Sequence, residues 1–192
     1  MLDSNYWSNR YQTGDTGWNV GKPTTPIKEF VDSLTDKNLK ILVPGAGMGY
    51  EAAYLWEQGF RKVFVCDWAA EAFEHLKKIC PQFAVNQLIT GDFFLINDTF
   101  DLIVEQTFFC AIDRNLRPKY AQKTSELLHT EGVLAGLLFN KEFPLAQPPF
   151  GGSIEEYWQY FEPFFDVVKM EECYNSIPSR AGTELWVHLV KR

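Results

Sequence analysis

The stretch LVPGAGMGYEA, residues 42–52, runs from an apolar segment into three glycines spaced by two, and its reading decides the fold. LKILVP (39–44) is short, apolar and β-branched, as a buried strand is. Beyond the glycines, Ala52, Ala53, Leu55 and Trp56 give a helical stretch. A strand, a glycine turn and a helix in that order bring backbone close to a ligand. A dinucleotide turn places Gly or Ala at the sixth position, where this chain has Tyr50. A P-loop needs a following Gly-Lys-Ser/Thr, which is absent. Gly45, Gly47 and Gly49 leave the methionine end of S-adenosylmethionine as the remaining common reading.

Working outward, TTPIKEFVDSL (24–34) predicts a helix with Thr25 as cap, Pro26 at its first position and Ile27, Phe30, Val31 and Leu34 on one face. KVFVCD (62–67), QLIT (87–90), FDLIVEQ (100–106) and GVLAGLLF (132–139) read as further strands. Helical patterns fall between them, with Ala72, Phe73, Leu76 and Ile79 on one face and residues 118–128 forming another helix. This alternation predicts βαβ units and a parallel sheet with helices on both faces. The end of the chain breaks the rhythm. After a helix over 154–161, FDVVKME (165–171) and ELWVHLV (184–190) are joined by a loop too short for a crossover, so they pair antiparallel or not at all.

Two acidic residues follow strands, at the carboxyl ends where such sheets bind ligands. Asp67 lies 18 residues beyond Gly49, near the distance at which a carboxylate takes ribose hydroxyls. Asp92-Phe93 offers an acceptor for an adenine amino group and a ring to pack on the base. Taken singly, each aspartate is as well explained as a cap or a turn residue.

Composition excludes several classes. At 192 residues the chain is read as one domain, 1–192, able to bury its own core. A net charge of −7 without basic clusters argues against nucleic acid as a partner. Cys66, Cys80, Cys110 and Cys173 have no metal-ligand spacing, so no metal site is expected, and lone cysteines suit a reducing, cytoplasmic setting. No segment reads as a signal or a membrane span. A monomer is the simplest expectation.

The whole pattern resembles the thiopurine S-methyltransferase family, with its thiol and halide methyltransferase branch, within the class I methyltransferases. The resemblance rests on WSNRYQTGDTGWNVGKPTTP (7–26), ILVPGAGMGYEA (41–52), VCD (65–67), GDFF (91–94), FDLIVEQTFFCAID (100–113), LRPKYAQKTSELL (116–128) and QPPFGG (147–152). It implies a Rossmann-like fold with S-adenosylmethionine as cofactor and a small-molecule methyl acceptor. It further implies that segment 1–23, read as preceding any regular element, is a mobile lid whose Trp7, Tyr11 and Trp18 fold over the cofactor. A ring face attracts a sulfonium, and a lid excludes water. In the family Gln106 corresponds to a cofactor-contacting position whose residue type varies.

Methyl transfer to a thiolate or halide needs alignment and desolvation rather than a strong base. His75, His129 and His188 are read as structural or exposed. After the fourth strand, TFFC lacks the proline motif of amino-directed methyltransferases, and Phe109 offers an apolar wall. Phe150, Arg117 and Arg180 are further candidates on the acceptor side, with packing or ion pairing as their bland alternatives. Cys110 is read as an inert buried thiol. The expected activity is S-methylation of a small thiol, with halides or thiopurines as possible acceptors. Chalcogen oxyanions or heterocyclic thiones, a non-catalytic binding module and a dehydrogenase are the competing readings.

Overall fold

The computed structural model describes residues 2–144 and 146–192. Seven strands make a mostly parallel sheet with helices packed around it. The chain divides into two compact units, residues 1–96 and 97–192.

The first unit opens with α1 (Ser4–Thr13), where the sequence suggested no regular element. Its stop signals are ordinary ones. The Asp3 carboxylate accepts from Tyr6 N at 3.0 Å, and Gly14, at φ 73°, returns its N–H to Tyr11 O. No α1 residue is buried, so tertiary contacts hold it rather than a core face. In α2 (Thr25–Ser33) the cap is Thr24, one residue earlier than expected; of the expected face Ile27 and Val31 are buried and Phe30 and Leu34 half-buried, with Pro26 buried as well.

Strands β1 (Lys40–Pro44), β2 (Lys62–Asp67) and β3 (Leu88–Thr90) pair in parallel in the order β3-β2-β1. Ile41, Leu42 and Val43 are consecutive and all buried, the mark of a strand covered on both faces. Helix α3 (Tyr50–Glu57) follows the glycine turn, and α4 (Ala72–Ile79) follows β2. The two helices approach at Gly49, where a Cβ would lie 2.6 Å from Leu76 Cβ.

The second unit holds β4 (Phe100–Gln106), α5 (Arg117–Leu127), β5 (Leu128–Phe139), α6 (Ile154–Phe161), β6 (Phe165–Glu172) and β7 (Glu184–Lys191). Strand β5 starts at Leu128 rather than residue 132. Its pairing with β4 shifts register between Phe100 and Leu102, and Glu131 there has φ 63°. The expected C-terminal pair is antiparallel, and β7 sits between β5 and β6, antiparallel to both. Phe109, Tyr120, Tyr157 and Phe161 form a buried cluster with ring centroids 5.1–5.8 Å apart around Phe109. Much of the aromatic content therefore serves the core.

Candidate active site

In the first unit the turn after β1 carries three left-handed glycines, Gly45 (φ 72°), Gly47 (54°) and Gly49 (77°). Other residues reach such angles only with strain, which is why the sequence places glycine at all three. Asp67, at the end of β2, ties this turn to the one following it. One oxygen accepts from Ala46 N at 2.9 Å and the other from Ala69 N at 2.8 Å. Burial pushes the Asp67 carboxyl up to about 6, against the lowering effect of bonds from Ala69, Ala46 and Tyr11.

The N-terminal aromatics converge on that turn. Tyr11 Oη lies 3.2 Å from Gly47 O and 3.4 Å from Asp67 Oδ2. Burial, and after it the charge of Asp67, raises the Tyr11 phenol far above its usual range, so it remains a donor. Trp18 stands edge-on to Tyr11 and Trp7, at 5.4 and 5.7 Å, and its ring lies 3.5 Å from where a Gly47 Cβ would be. Helix α1 is fastened by a residue the sequence did not single out. The Glu71 carboxylate accepts from Ser8 Oγ at 3.0 Å and Gln12 Nε2 at 2.7 Å. Ser8 and Gln12, one helical turn apart, lie on the same face of α1 and so reach Glu71 together. Arg10 adds a guanidinium 4.9 Å from the Trp18 ring centroid, and His75 Nδ1 braces the glycine turn at 2.7 Å from Met48 O.

Asp92 caps a short 3-10 turn, Phe93–Leu95, by accepting from Phe94 N at 2.9 Å. Phe93 itself is buried, 2% exposed, and so is held in the core behind that turn.

In the second unit Gln106 ends β4 and Thr107 turns left-handed at φ 62°. The preceding Glu105 is fully buried. Its Oε1 accepts from Phe108 N at 2.8 Å and Phe109 N at 2.9 Å, and its Oε2 from the Tyr120 hydroxyl at 2.6 Å. Burial lifts this carboxyl to about 7, with the bonds from Tyr120 and the two amides opposing the rise. Phe150 N donates to Cys110 O at 2.7 Å, joining the post-β4 turn to the loop before α6.

Arg117 is 0% exposed. It donates to Phe150 O at 3.0 Å, Gly151 O at 2.8 Å and Glu156 Oε1 at 3.2 Å, with its guanidinium 4.7 Å from the Phe109 ring centroid. Those partners make it a clamp on the loop rather than a cation offered to an acceptor. Arg180 pairs with Glu184 at 3.3 Å and stacks 5.5 Å above Phe139. The Cys110 thiol is pushed up to about 12 by burial and then by Glu105, which suits the inert role read for it. Burial, and after it the charge of Lys169, lowers the His188 imidazole below its usual range.

The first unit fits the nucleoside and methionine portions of S-adenosylmethionine on its own geometry. Left-handed glycines expose turn backbone, and Asp67 retains acceptor capacity beyond its two amides. An acidic residue after β2, a glycine turn after β1 and a mostly parallel sheet ending in antiparallel strands make a Rossmann-like fold, and the family match identifies it as an S-adenosylmethionine-dependent methyltransferase. The chain belongs to the thiopurine S-methyltransferase family, whose model matches residues 2–187.

A probable thiol methyltransferase 2 of Arabidopsis thaliana is 31% identical over 93% of this chain and 81% of its own length. Thiocyanate methyltransferase 1 of Brassica oleracea is 30% identical over the same shares. Thiopurine S-methyltransferase of Vibrio campbellii is 25% identical over 85% of this chain and 84% of its own. Among solved structures, the fold matches 1,6-didemethyltoxoflavin-N1-methyltransferase of Burkholderia thailandensis, crystallised with 1,6-didemethyltoxoflavin and S-adenosylhomocysteine. That match has a TM-score of 0.80 at 16% identity and covers 98% of this chain and 86% of that one.

Proposed function

We propose that this protein methylates small thiols, with soft anions such as thiocyanate or iodide as secondary acceptors. The thiol and thiocyanate methyltransferases among its relatives support the acceptor class. The observation that carries the reading is the post-β4 turn, Thr107–Ile112, where Phe108 is half-buried, Phe109 packs into the core behind it, and the adjacent carboxylate, Glu105, is turned inward. An acceptor that arrives already ionised requires no proton removal, and this turn supplies no base.

S-adenosylmethionine supplies a methyl group on a positively charged leaving group. In this reading the glycine turn receives the methionine portion, Asp67 accepts from ribose hydroxyls, and Asp92 accepts from the adenine amino group with Phe93 behind it. Trp7, Tyr11 and Trp18, within a lid of residues 1–23, cover the sulfonium, and Gln106 contacts the cofactor as its family counterpart does. Phe150 lines the acceptor side with Phe109 backing it from the core, Arg117 fixes the loop, and Arg180 meets an anionic acceptor. Residues 1–192 act as one domain and as a cytoplasmic monomer, a setting supported by four buried, unbridged cysteines.

Isothermal titration with S-adenosylhomocysteine tests the cofactor site, and saturable heat is expected. Methylated-product detection over hydrosulfide, thiophenol, thiocyanate, iodide, selenite and mercaptopurine then tests the acceptor. Turnover of selenite in preference to both thiols would overturn the thiol assignment.

A further inference from the structure

Glu105 is a buried carboxylate that the proposed chemistry does not use. It sits at the penultimate position of β4, facing its own turn rather than solvent. Three donors meet it: two consecutive amides on Oε1 and the Tyr120 hydroxyl of α5 on Oε2. The amides belong to Phe108 and Phe109, whose rings lie 6.0 and 5.1 Å from Tyr120. Space around Glu105 is closed by its neighbour on β5, since a Cβ on Gly136 would come within 2.0 Å of Glu105 O. The titratable groups facing it are Tyr120 of α5 and Cys110 of the turn.

We propose that Glu105 is a positioning residue for methyl transfer, holding the left-handed turn at Thr107 so that Phe109 stays anchored in the core and Phe108 presents a fixed wall to the acceptor. The inference rests on the methyltransferase reading above. In the neutral acid Oε1 still accepts from both amides but as a weaker, uncharged acceptor, and the protonated Oε2 no longer accepts from the Tyr120 hydroxyl as it does now. The wall is therefore set fully only in the ionised state. A group raised by burial toward neutrality makes that state sensitive to mild acid.

The test uses the full chain and three variants or conditions. Glu105→Gln keeps the shape and mimics the protonated acid at every pH. In the wild-type protein, the KM for hydrosulfide, counted as the HS− anion alone so that the substrate's own protonation drops out, is expected to rise as pH falls through about 7, with the Phe108 and Phe109 amides losing protection from exchange beyond the change in their intrinsic rates. Glu105→Gln is expected to show the acid-side values throughout, with KM raised about fivefold or more while the S-adenosylhomocysteine Kd stays within about twofold. Tyr120→Phe removes a bond that lowers the carboxyl, so its acid limb is expected at higher pH.

Wild-type KM and unchanged exchange at Phe108 and Phe109 in Glu105→Gln would overturn the proposal. So would equal losses of cofactor and acceptor affinity that track a fall in melting temperature. If hydrosulfide is not turned over at all, exchange decides alone: deprotection confined to the turn upholds the positioning, and uniform exchange rejects it. A wild-type protein giving no heat with S-adenosylhomocysteine rejects the enzyme reading separately.

Discussion

The Tyr11 hydroxyl lies 3.4 Å from Oδ2 of Asp67, so a hydroxyl of the protein stands at the carboxylate that is assigned the ribose. Its second acceptor, Gly47 O at 3.2 Å, belongs to the glycine turn itself. With one proton to give, Tyr11 shares it between the two positions that a nucleoside and a methionine tail would claim. A residue of α1 that hydrogen-bonds both elements reports on the state of each.

Asp67→Asn is expected to weaken S-adenosylhomocysteine binding by about 10- to 100-fold, the usual loss when a charged hydrogen-bond acceptor becomes neutral. Titration calorimetry measures it. In the wild-type protein the same affinity falls as pH drops through about 6, because protonation removes the charged acceptor. The asparagine variant should have no such limb.

Tyr11→Phe keeps the ring and removes the donor. That bond lowers the Asp67 carboxyl, so its loss moves the acid limb of cofactor binding to higher pH. An unmoved limb would show that Tyr11 and Asp67 are not coupled in solution.

Stability has its own pH signature. A carboxyl raised on folding binds its proton more tightly in the native state, so stability falls as pH rises from the unfolded value towards the folded one. For Glu105 that window runs from 4.5 to about 7. Urea midpoints should decline across it in the wild-type protein and decline less in Glu105→Gln.

Gly49→Ala is expected to lose about 2–4 kcal/mol, since it combines φ 77° with a Cβ 2.6 Å from Leu76 Cβ. Gly47→Ala has more room, with Trp18 at 3.5 Å as its nearest neighbour. It should shift Trp18 fluorescence with a smaller change in urea midpoint.

Replacing Arg117 by Met removes a fully buried cation from three acceptors and should cost about 3–5 kcal/mol in chemical denaturation. Arg117→Lys is not expected to restore it, because an ammonium cannot span the Phe150 and Gly151 carbonyls and Glu156 in the planar arrangement of a guanidinium.

What the chain disclosed in advance was whatever is local. The bounds of β2 and β4 and the glycine turn follow from runs of a few residues whose chemistry is self-contained. Asp3 and Gly14 were equally local, and the α1 they delimit is legible in retrospect, though its lack of an apolar face hid it. Glu71 and Glu105 were not legible. Glu71 matters through partners 59 to 63 residues away; Glu105 bonds amides three and four residues on but also a hydroxyl 15 away, and spacing alone carries no sign of such pairings. Arg117 was open between ion pairing and anion binding until its carbonyl partners could be seen. The place of β7 is likewise non-local: its sequence says strand, but only tertiary pairing puts it between β5 and β6.

That insertion bears on how the molecule is made. Residues 184–191 supply the strand that β5 and β6 share, so β5 emerges from the ribosome about fifty residues before its edge can be closed. Through that interval Leu134, Leu137 and Leu138 lie on an open, apolar edge that invites association with other nascent chains. Synthesis of the last eight-residue strand is thus the step that ends the exposure.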